Sequence, residues 1–111
     1  MLFRSVGSRV LDVAAGTGDD TLLAARRVGP NGHVLATDLS PHMLEIAATL
    51  VRDAGLTNVA TRVIDAERID LPAESFDAVI SRNGIMFISD LHTALVGMRR
   101  VLRAEIGRAH V

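Results

Sequence analysis

Blocks of apolar and polar residues alternate along the chain with the lengths and spacings of strands and helices. Short apolar runs predict strands at 9–14, 33–38, 59–64 and 76–81. Apolar residues at helical spacing predict helices over 19–28, 40–55 and 90–103. Ser40 is the expected N-cap of the second helix, and Pro41 lies in its first turn. Strands that alternate with helices predict parallel βαβ units with right-handed crossovers.

The stretch VLDVAAGTGDD at 10–20 is the most informative one in the chain. It predicts a buried strand that breaks into a glycine turn and then opens a helix, which is how doubly wound α/β domains bring their backbone against a nucleotide-like ligand. Asp38 ends the next apolar run, about 20 residues past the turn, where such folds bind ribose hydroxyls. Asp38 could instead cap the loop before Ser40, but the spacing favours the ligand.

The glycines and charges of this turn do not fit a dinucleotide. Thr21 stands where the dinucleotide fingerprint has its third glycine. A diphosphate at a helix N-terminus favours positive potential, whereas Asp12 precedes the turn and Asp19 and Asp20 open the helix. Such carboxylates suit a ligand with a sulfonium and an ammonium. Asp19 and Asp20 could instead stabilise the helix dipole, and Asp12 could cap the turn. We favour the dipole role for Asp20 and the ligand for Asp12 and Asp19.

Four motifs in order give the chain a specific resemblance: VLDVAAGTGD, LATDLSPHMLEIA, VIDAERIDLP and FDAVISRNGIMFI, followed by LHTALVGMRRVLR. Residues 6–103 resemble the N-terminal half of a class I S-adenosylmethionine-dependent methyltransferase, in the small-molecule branch of the ubiquinone/menaquinone C-methyltransferases. Ala14 departs from the wider superfamily, which usually has a glycine there. The resemblance implies a Rossmann-like three-layer α/β sandwich with parallel strand order 3-2-1-4, truncated before the later strands, so that strand four is an exposed edge.

The resemblance also implies a donor site for S-adenosylmethionine. The turn backbone would approach the donor's amino-acid part and ribose, Asp38 would accept the ribose hydroxyls, and the last strand's end would lie nearest the methyl group. The implied residues are Asp12, Ala14, Ala15, Gly16, Thr17, Gly18, Asp19, Asp38, Leu39, Met43, Asp65, Ala66, Ser81, Arg82 and Asn83. No catalytic side chain is assigned, because positioning and desolvation supply most of the acceleration of a methyl transfer.

Several of these residues have simpler alternatives. Leu39 and Met43 would flank the adenine, but Met43 could equally belong to the core. Asp65 would accept the exocyclic amine, with the Ala66 N–H facing a ring nitrogen, although Asp65 could instead cap the loop leading to Arg68. Asn83 before a glycine is also ordinary turn chemistry. Met86 and Phe87 could line an acceptor pocket, but we favour core packing for both.

The sequences at the two ends of the chain indicate an origin other than that of the methyltransferase domain. Residues 1–5 and 105–111 can be encoded by nearly reverse-complementary strings that resemble a common short-read sequencing adapter. We therefore expect residues 6–104 to be a partial methyltransferase domain, the donor-binding half, and both ends to be adapter-derived and no part of that domain. We also expect the chain by itself to be a poor enzyme or an inactive one.

The composition of the chain narrows its possible partners, source and cellular location. The chain has 111 residues, enough for one domain, and a net charge of −1, which gives no reason to expect nucleic acid or an anionic membrane as partner. All 12 basic residues are arginine, which suggests a GC-rich bacterial genome, and the absence of cysteine fits a cytoplasmic protein. The scattered histidines predict no metal site.

The acceptor is expected to be a small molecule, and the oligomeric state is open. An NAD(P)-dependent oxidoreductase and a non-catalytic nucleotide-binding or partner-binding module remain as alternatives.

Overall fold

A computed structural model describes residues 6–104 and 109–110 as alternating strands and helices. The strands are β1 (Arg9–Asp12), β2 (His33–Asp38), β3 (Val59–Val63), β4 (Ala78–Ile80) and β5 (Ala109–His110). The helices are α1 (Asp19–Val28), α2 (Pro41–Asp53) and α3 (Leu91–Val101), with a 3₁₀ helix at Asn83–Phe87. Each strand and α-helix predicted from the hydrophobic pattern is present.

One parallel sheet in the order β3-β2-β1-β4-β5 carries the fold. The order of the first four strands confirms the predicted 3-2-1-4 arrangement. The expectation that β4 is a bare edge is wrong, because Val79 and Ile80 pair in parallel with the two residues of β5. Most of the two segments assigned to a sequencing adapter lies outside the described residues, and their origin stays a prediction.

Two cores lie on opposite faces of the sheet because side chains alternate along each strand. Val10 and Ala78 pack on one face with buried residues of α1, and α2 lies beside α1. Leu11 and Val79 pack on the other face with Met98 and other buried residues of α3. The domain is therefore the three-layer α/β sandwich that the motifs imply.

Element ends differ from the predictions where backbone geometry intervenes. The strand predicted at 9–14 ends at Asp12, because Ala14 has a φ of 55°, in the left-handed region. The strand predicted at 76–81 begins only at Ala78, since Phe76 forms an isolated bridge with Leu102. That bridge also ends α3 at Val101, two residues before its predicted end. The 3₁₀ helix after β4 was not predicted.

Candidate ligand-binding site at the carboxyl edge of the sheet

A cavity of about 440 Å³ opens where the loops after the first four strands converge. Its walls come from four segments, 12–20, 38–43, 64–67 and 82–88, which follow β1, β2, β3 and β4. The volume lies within the range of about 300–1,000 Å³ that is typical of small-molecule sites. Its position is the crevice outside the carboxyl ends of the strands, where open α/β sheets bind their ligands.

Three residues in the left-handed backbone conformation form the turn between β1 and α1. Ala14, Gly16 and Gly18 have φ values of 55°, 60° and 91°. The left-handed conformation at an alanine costs about 1–2 kcal/mol, so the fold holds Ala14 against its local preference. Gly84 packs against this turn so closely that a Cβ on Gly84 would lie 2.3 Å from the Ala14 Cβ. The turn and the segment after β4 therefore form two tightly joined walls of the cavity.

Both carboxylate oxygens of Asp38 are fixed by backbone donors. The Gly16 N–H donates to Oδ2 at 2.9 Å, and the Ser40 N–H donates to Oδ1 at 3.0 Å. The bond from Ser40 is the loop cap considered above, and the bond from Gly16 also ties the carboxylate to the glycine turn. A carboxylate has about four lone-pair sites, so each oxygen keeps capacity for another donor. Asp38 is thus an oriented, two-oxygen acceptor in the cavity wall.

Asp12 is a buried carboxyl at the base of the cavity. Its side chain accepts a hydrogen bond of 2.6 Å from the Thr21 hydroxyl, and the residue is 2% exposed. Burial raises the pKa of Asp12 to about 7; the Thr21 hydrogen bond opposes this rise, and the charges of Asp20 and Asp38 add to it. Thr21 therefore has a role of its own, at the position where a dinucleotide fingerprint has its third glycine.

The loops after β2 and β3 supply an apolar surface and a further acceptor. Leu39 and Met43 line the cavity and are 66% and 39% exposed, so the core alternative for Met43 is wrong. Asp65 Oδ1 accepts the Glu67 N–H at 2.9 Å, and in the described part of the chain no donor reaches Oδ2. Asp65 therefore caps its own loop with one oxygen while the other remains open.

The end of β4 differs most from the sequence predictions. Arg82 lines the cavity and donates from Nη1 to Asp20 Oδ1 at 3.1 Å. Ser81 is buried, lies outside the cavity lining, and has a hydroxyl without a hydrogen-bond partner among the described residues. Of Asn83 only the backbone is described, at the start of the 3₁₀ helix. Gly18 also lies outside the lining, and it packs against α2, where an added Cβ would lie 2.7 Å from the Ala47 Cβ.

The other implied residues all line the cavity, together with some that sequence reasoning missed. The missed residues are Asp20, Ser40, Ile64, Glu67, Gly84 and Ile88. Core packing, favoured above for Met86 and Phe87, is wrong, because they are 77% and 81% exposed and Phe87 lines the cavity. Several of the missed residues adjoin predicted site residues, so proximity in sequence was an available signal. Asp20 was interpreted only through the helix dipole, since its partner Arg82 is 62 positions away and no local pattern joins them.

The charges of the described lining are strongly asymmetric. The described lining contains one basic residue, Arg82, and six acidic ones: Asp12, Asp19, Asp20, Asp38, Asp65 and Glu67. Negative potential of this kind attracts a cationic ligand and repels a diphosphate. The structure thus extends the argument made from the glycine turn to the whole cavity.

Comparison with known proteins identifies the family. Residues 10–105 match the family model of a methyltransferase domain, which covers most of the chain. The chain belongs to this methyltransferase family. The methyltransferase domain is 41% identical over 97 residues to the ubiquinone/menaquinone biosynthesis C-methyltransferase UbiE of Bordetella parapertussis, a match that covers 87% of the chain and 37% of that relative.

Solved structures of methyltransferases share the fold. A SAM-dependent methyltransferase from Aquifex aeolicus superposes with a TM-score of 0.82 at 28% identity, covering 89% of this chain and 53% of the other. An arsenic(III) S-adenosylmethionine methyltransferase from Chlamydomonas reinhardtii superposes with a TM-score of 0.83 at 34% identity, covering 93% and 38%. The methyltransferase domain thus spans only about two fifths of the UbiE relative and about half or less of these structures.

The described residues form neither a metal-binding cluster nor a membrane-spanning helix. In 6–104 and 109–110, no cluster of His, Cys, Asp or Glu side chains has the arrangement needed to hold a metal ion. Within the same residues, none of the helices has the length and apolar character needed to cross a bilayer.

Proposed function

We propose that the protein to which this domain belongs transfers a methyl group from S-adenosylmethionine to a small-molecule acceptor. The observation that carries the proposal is the acidic cavity in which Asp38 is held by two backbone N–H groups. Family membership and the methyltransferase relatives support the same donor. They do not support the oxidoreductase alternative, and the acidic lining would repel the diphosphate of a dinucleotide.

The residues present fit this donor. Asp38 offers both oxygens to the ribose hydroxyls, and the open Oδ2 of Asp65 suits the exocyclic amine of an adenine. The exposed side chains of Leu39 and Met43 offer apolar contact to the faces of the base. The remaining carboxylates favour the positive charges of the sulfonium and the ammonium. The same donor satisfies each of these separate preferences.

When bound, S-adenosylmethionine supplies an electrophilic methyl group on a sulfonium. The residues described above would bind and orient it, and we assign none of them as a base or nucleophile. Transfer would leave S-adenosylhomocysteine, and a neutral acceptor would release a proton. Transfer needs an acceptor atom in line with the sulfur–carbon bond and water kept away, so rate depends on positioning and desolvation. We place this step beside the end of β4, where the cavity wall is formed by Arg82 and the apolar residues Phe87 and Ile88.

The acceptor is proposed to be an apolar small molecule. Met86 and Phe87 of the 3₁₀ helix are 77% and 81% exposed beside the cavity, which provides an apolar surface at its mouth. The UbiE relative acts, by its name, in ubiquinone and menaquinone biosynthesis, and a quinone-like ring would fit such a surface. We further propose a cytoplasmic location. We expect the 111-residue chain to bind the donor yet transfer methyl groups poorly, because its match covers only 37% of the UbiE relative.

Calorimetric titration tests the donor. The chain should bind S-adenosylmethionine and S-adenosylhomocysteine and should not bind NAD. Asp38→Ala should weaken binding of both by about 1–3 kcal/mol, since it removes a charged acceptor from the ribose. Asp53→Ala, at the exposed end of α2, is the matched control and should bind as the parent does. Binding of NAD alone, or of none of the three ligands, would refute the proposal.

A further inference from the structure

An ion pair joins two walls of the cavity that are distant in sequence. Asp20 lies in the first turn of α1, and Arg82 lies between β4 and the 3₁₀ helix. The Arg82 Nη1 donates to Asp20 Oδ1 at 3.1 Å, and both residues line the cavity. The pair therefore presents a positive and a negative group side by side to a ligand.

Neither partner is saturated by this contact. A guanidinium has five N–H donors, and in the described part of the chain only Nη1 of Arg82 has an acceptor. The second oxygen of Asp20 likewise has no donor there. The Arg82 side chain is 70% exposed, and exposed ion pairs stabilise a fold by only about 0–1 kcal/mol. A purely structural role would thus gain little from two charges placed in the cavity wall.

Among the charged groups of the described lining, Asp20 and Arg82 are the two of opposite charge that are in contact. Arg82 is the one cation in the described lining, so it is the only side chain there that could pair with a carboxylate. Asp38 is held at the glycine turn by Gly16 and Ser40, and Asp12 is buried against Thr21. Asp20 is the carboxylate already in contact with the cation.

We infer that Asp20 and Arg82 clamp the amino-acid end of the donor, with Asp20 accepting from its ammonium and Arg82 donating to its carboxylate. This inference rests on the proposed function and adds the roles of these two side chains to it. The α-ammonium and α-carboxylate of an amino acid are opposite charges on neighbouring atoms, which matches the opposite charges of the pair. Arginine suits the carboxylate because its planar fork donates two parallel hydrogen bonds.

Two ligands that differ only at the amino-acid end test the clamp. S-adenosylhomocysteine carries the zwitterion, whereas 5′-methylthioadenosine keeps the nucleoside and the thioether but lacks it. In calorimetric titrations of the full chain, Asp20→Asn and Arg82→Gln should each lower the affinity for S-adenosylhomocysteine about tenfold or more. Both variants should bind 5′-methylthioadenosine within twofold of the parent. Equal weakening of the two ligands, or no change in either, would overturn the clamp.

A second probe separates the two charges. Decarboxylated S-adenosylmethionine keeps the ammonium and lacks the carboxylate, so Asp20→Asn should still weaken its binding while Arg82→Gln should not. Arg82→Lys keeps the charge without the fork and should fall between the parent and Arg82→Gln with S-adenosylhomocysteine. If Asp19→Asn reproduces the ligand-selective loss and Asp20→Asn does not, the assignment of Asp20 is wrong.

Failure of the clamp can be distinguished from failure of the proposed function. A parent chain that binds both adenosyl ligands, with variants that do not discriminate between them, overturns the clamp alone. A parent chain that binds neither ligand overturns both. Circular dichroism melting of each variant checks folding, and Asp53→Asn on the exposed end of α2 controls for the loss of a carboxylate.

Discussion

Replacement of Asp12 by asparagine should make the chain more stable at alkaline pH. The folded state keeps this carboxyl buried and raises its pKa from 3.8 to about 7, so folding favours the protonated form. A raised pKa contributes stability that is fully present below the unfolded pKa and is lost as pH rises through the folded one. The fold is therefore more stable in acid, where Asp12 is protonated. Its free energy of unfolding falls progressively as the pH rises from about 4 to about 7.

The size of the effect follows from the two pKa values. Each pH unit between 3.8 and about 7 changes the free energy of unfolding by about 1.4 kcal/mol, which gives about 4 kcal/mol over the whole window. Between pH 5 and pH 8 the change is about 3 kcal/mol. Asp12→Asn removes this titration and keeps an oxygen that can accept a hydrogen bond from Thr21. From pH 5 to pH 8, the free energy of unfolding of the variant should therefore rise by about 3 kcal/mol relative to that of the parent.

Urea denaturation of the parent and Asp12→Asn at pH 5, 6, 7 and 8 measures this difference. Burial and the charge of Arg9 lower the pKa of His33, but His33 is present in both proteins, so its contribution to the difference cancels. Asp53→Asn is the control and should follow the parent at every pH. A difference between Asp12→Asn and the parent that stays constant from pH 5 to pH 8 would refute the reasoning.

Two further substitutions test the packing that positions the site. Gly84→Ala places a Cβ 2.3 Å from the Ala14 Cβ and 2.6 Å from its carbonyl oxygen, so we expect a loss of about 1–3 kcal/mol in urea denaturation and weaker donor binding by calorimetry. Unchanged stability and affinity would contradict that contact. Asn58→Ala removes the side-chain N–H donors that reach the carbonyls of Ala25 and Gly29 at 2.9 Å. It should lower the free energy of unfolding by about 1–3 kcal/mol, and a thermal melt that matches the parent would count against it.

Periodicity predicted the helices and the strands β1, β2 and β4 well because they bury apolar residues that recur at helix or strand spacing, whereas β3 is largely exposed. Val10 and Leu11 face opposite cores, and the same alternation recurs at Ala78 and Val79, so local pattern and tertiary packing agree. Connection rules predicted parallel strands, and the family resemblance then gave the order of the first four. The two residues of β5 were not predicted, because nothing local marks Ala109 and His110 as a strand.

The candidate site was predictable where function depends on chain-local features. Asp38 and the glycine turn were found from spacing alone, and the backbone bond from Gly16 to Asp38 explains why the spacing matters. Features that depend on contacts between distant segments were not found. The pairing of Asp20 with Arg82 and the packing of Gly84 on the turn arise only after β4 is placed beside β1.

Three unfavourable features of the fold lie at the carboxyl edge of the sheet. Ala14 holds a left-handed conformation, Asp12 is a buried acid, and Ser81 is a buried hydroxyl without a partner among the described residues. Each lowers stability, and none is needed to form the sheet, whose apolar core lies below them. Such features persist where a site requires them, because selection for binding tolerates a local loss of stability. Asp12 makes the trade explicit: above pH 7 its charge weakens the fold and strengthens the attraction of the cavity for a cation. Stability and donor affinity should therefore respond to pH in opposite directions, which is the physical sign that this edge of the sheet serves binding.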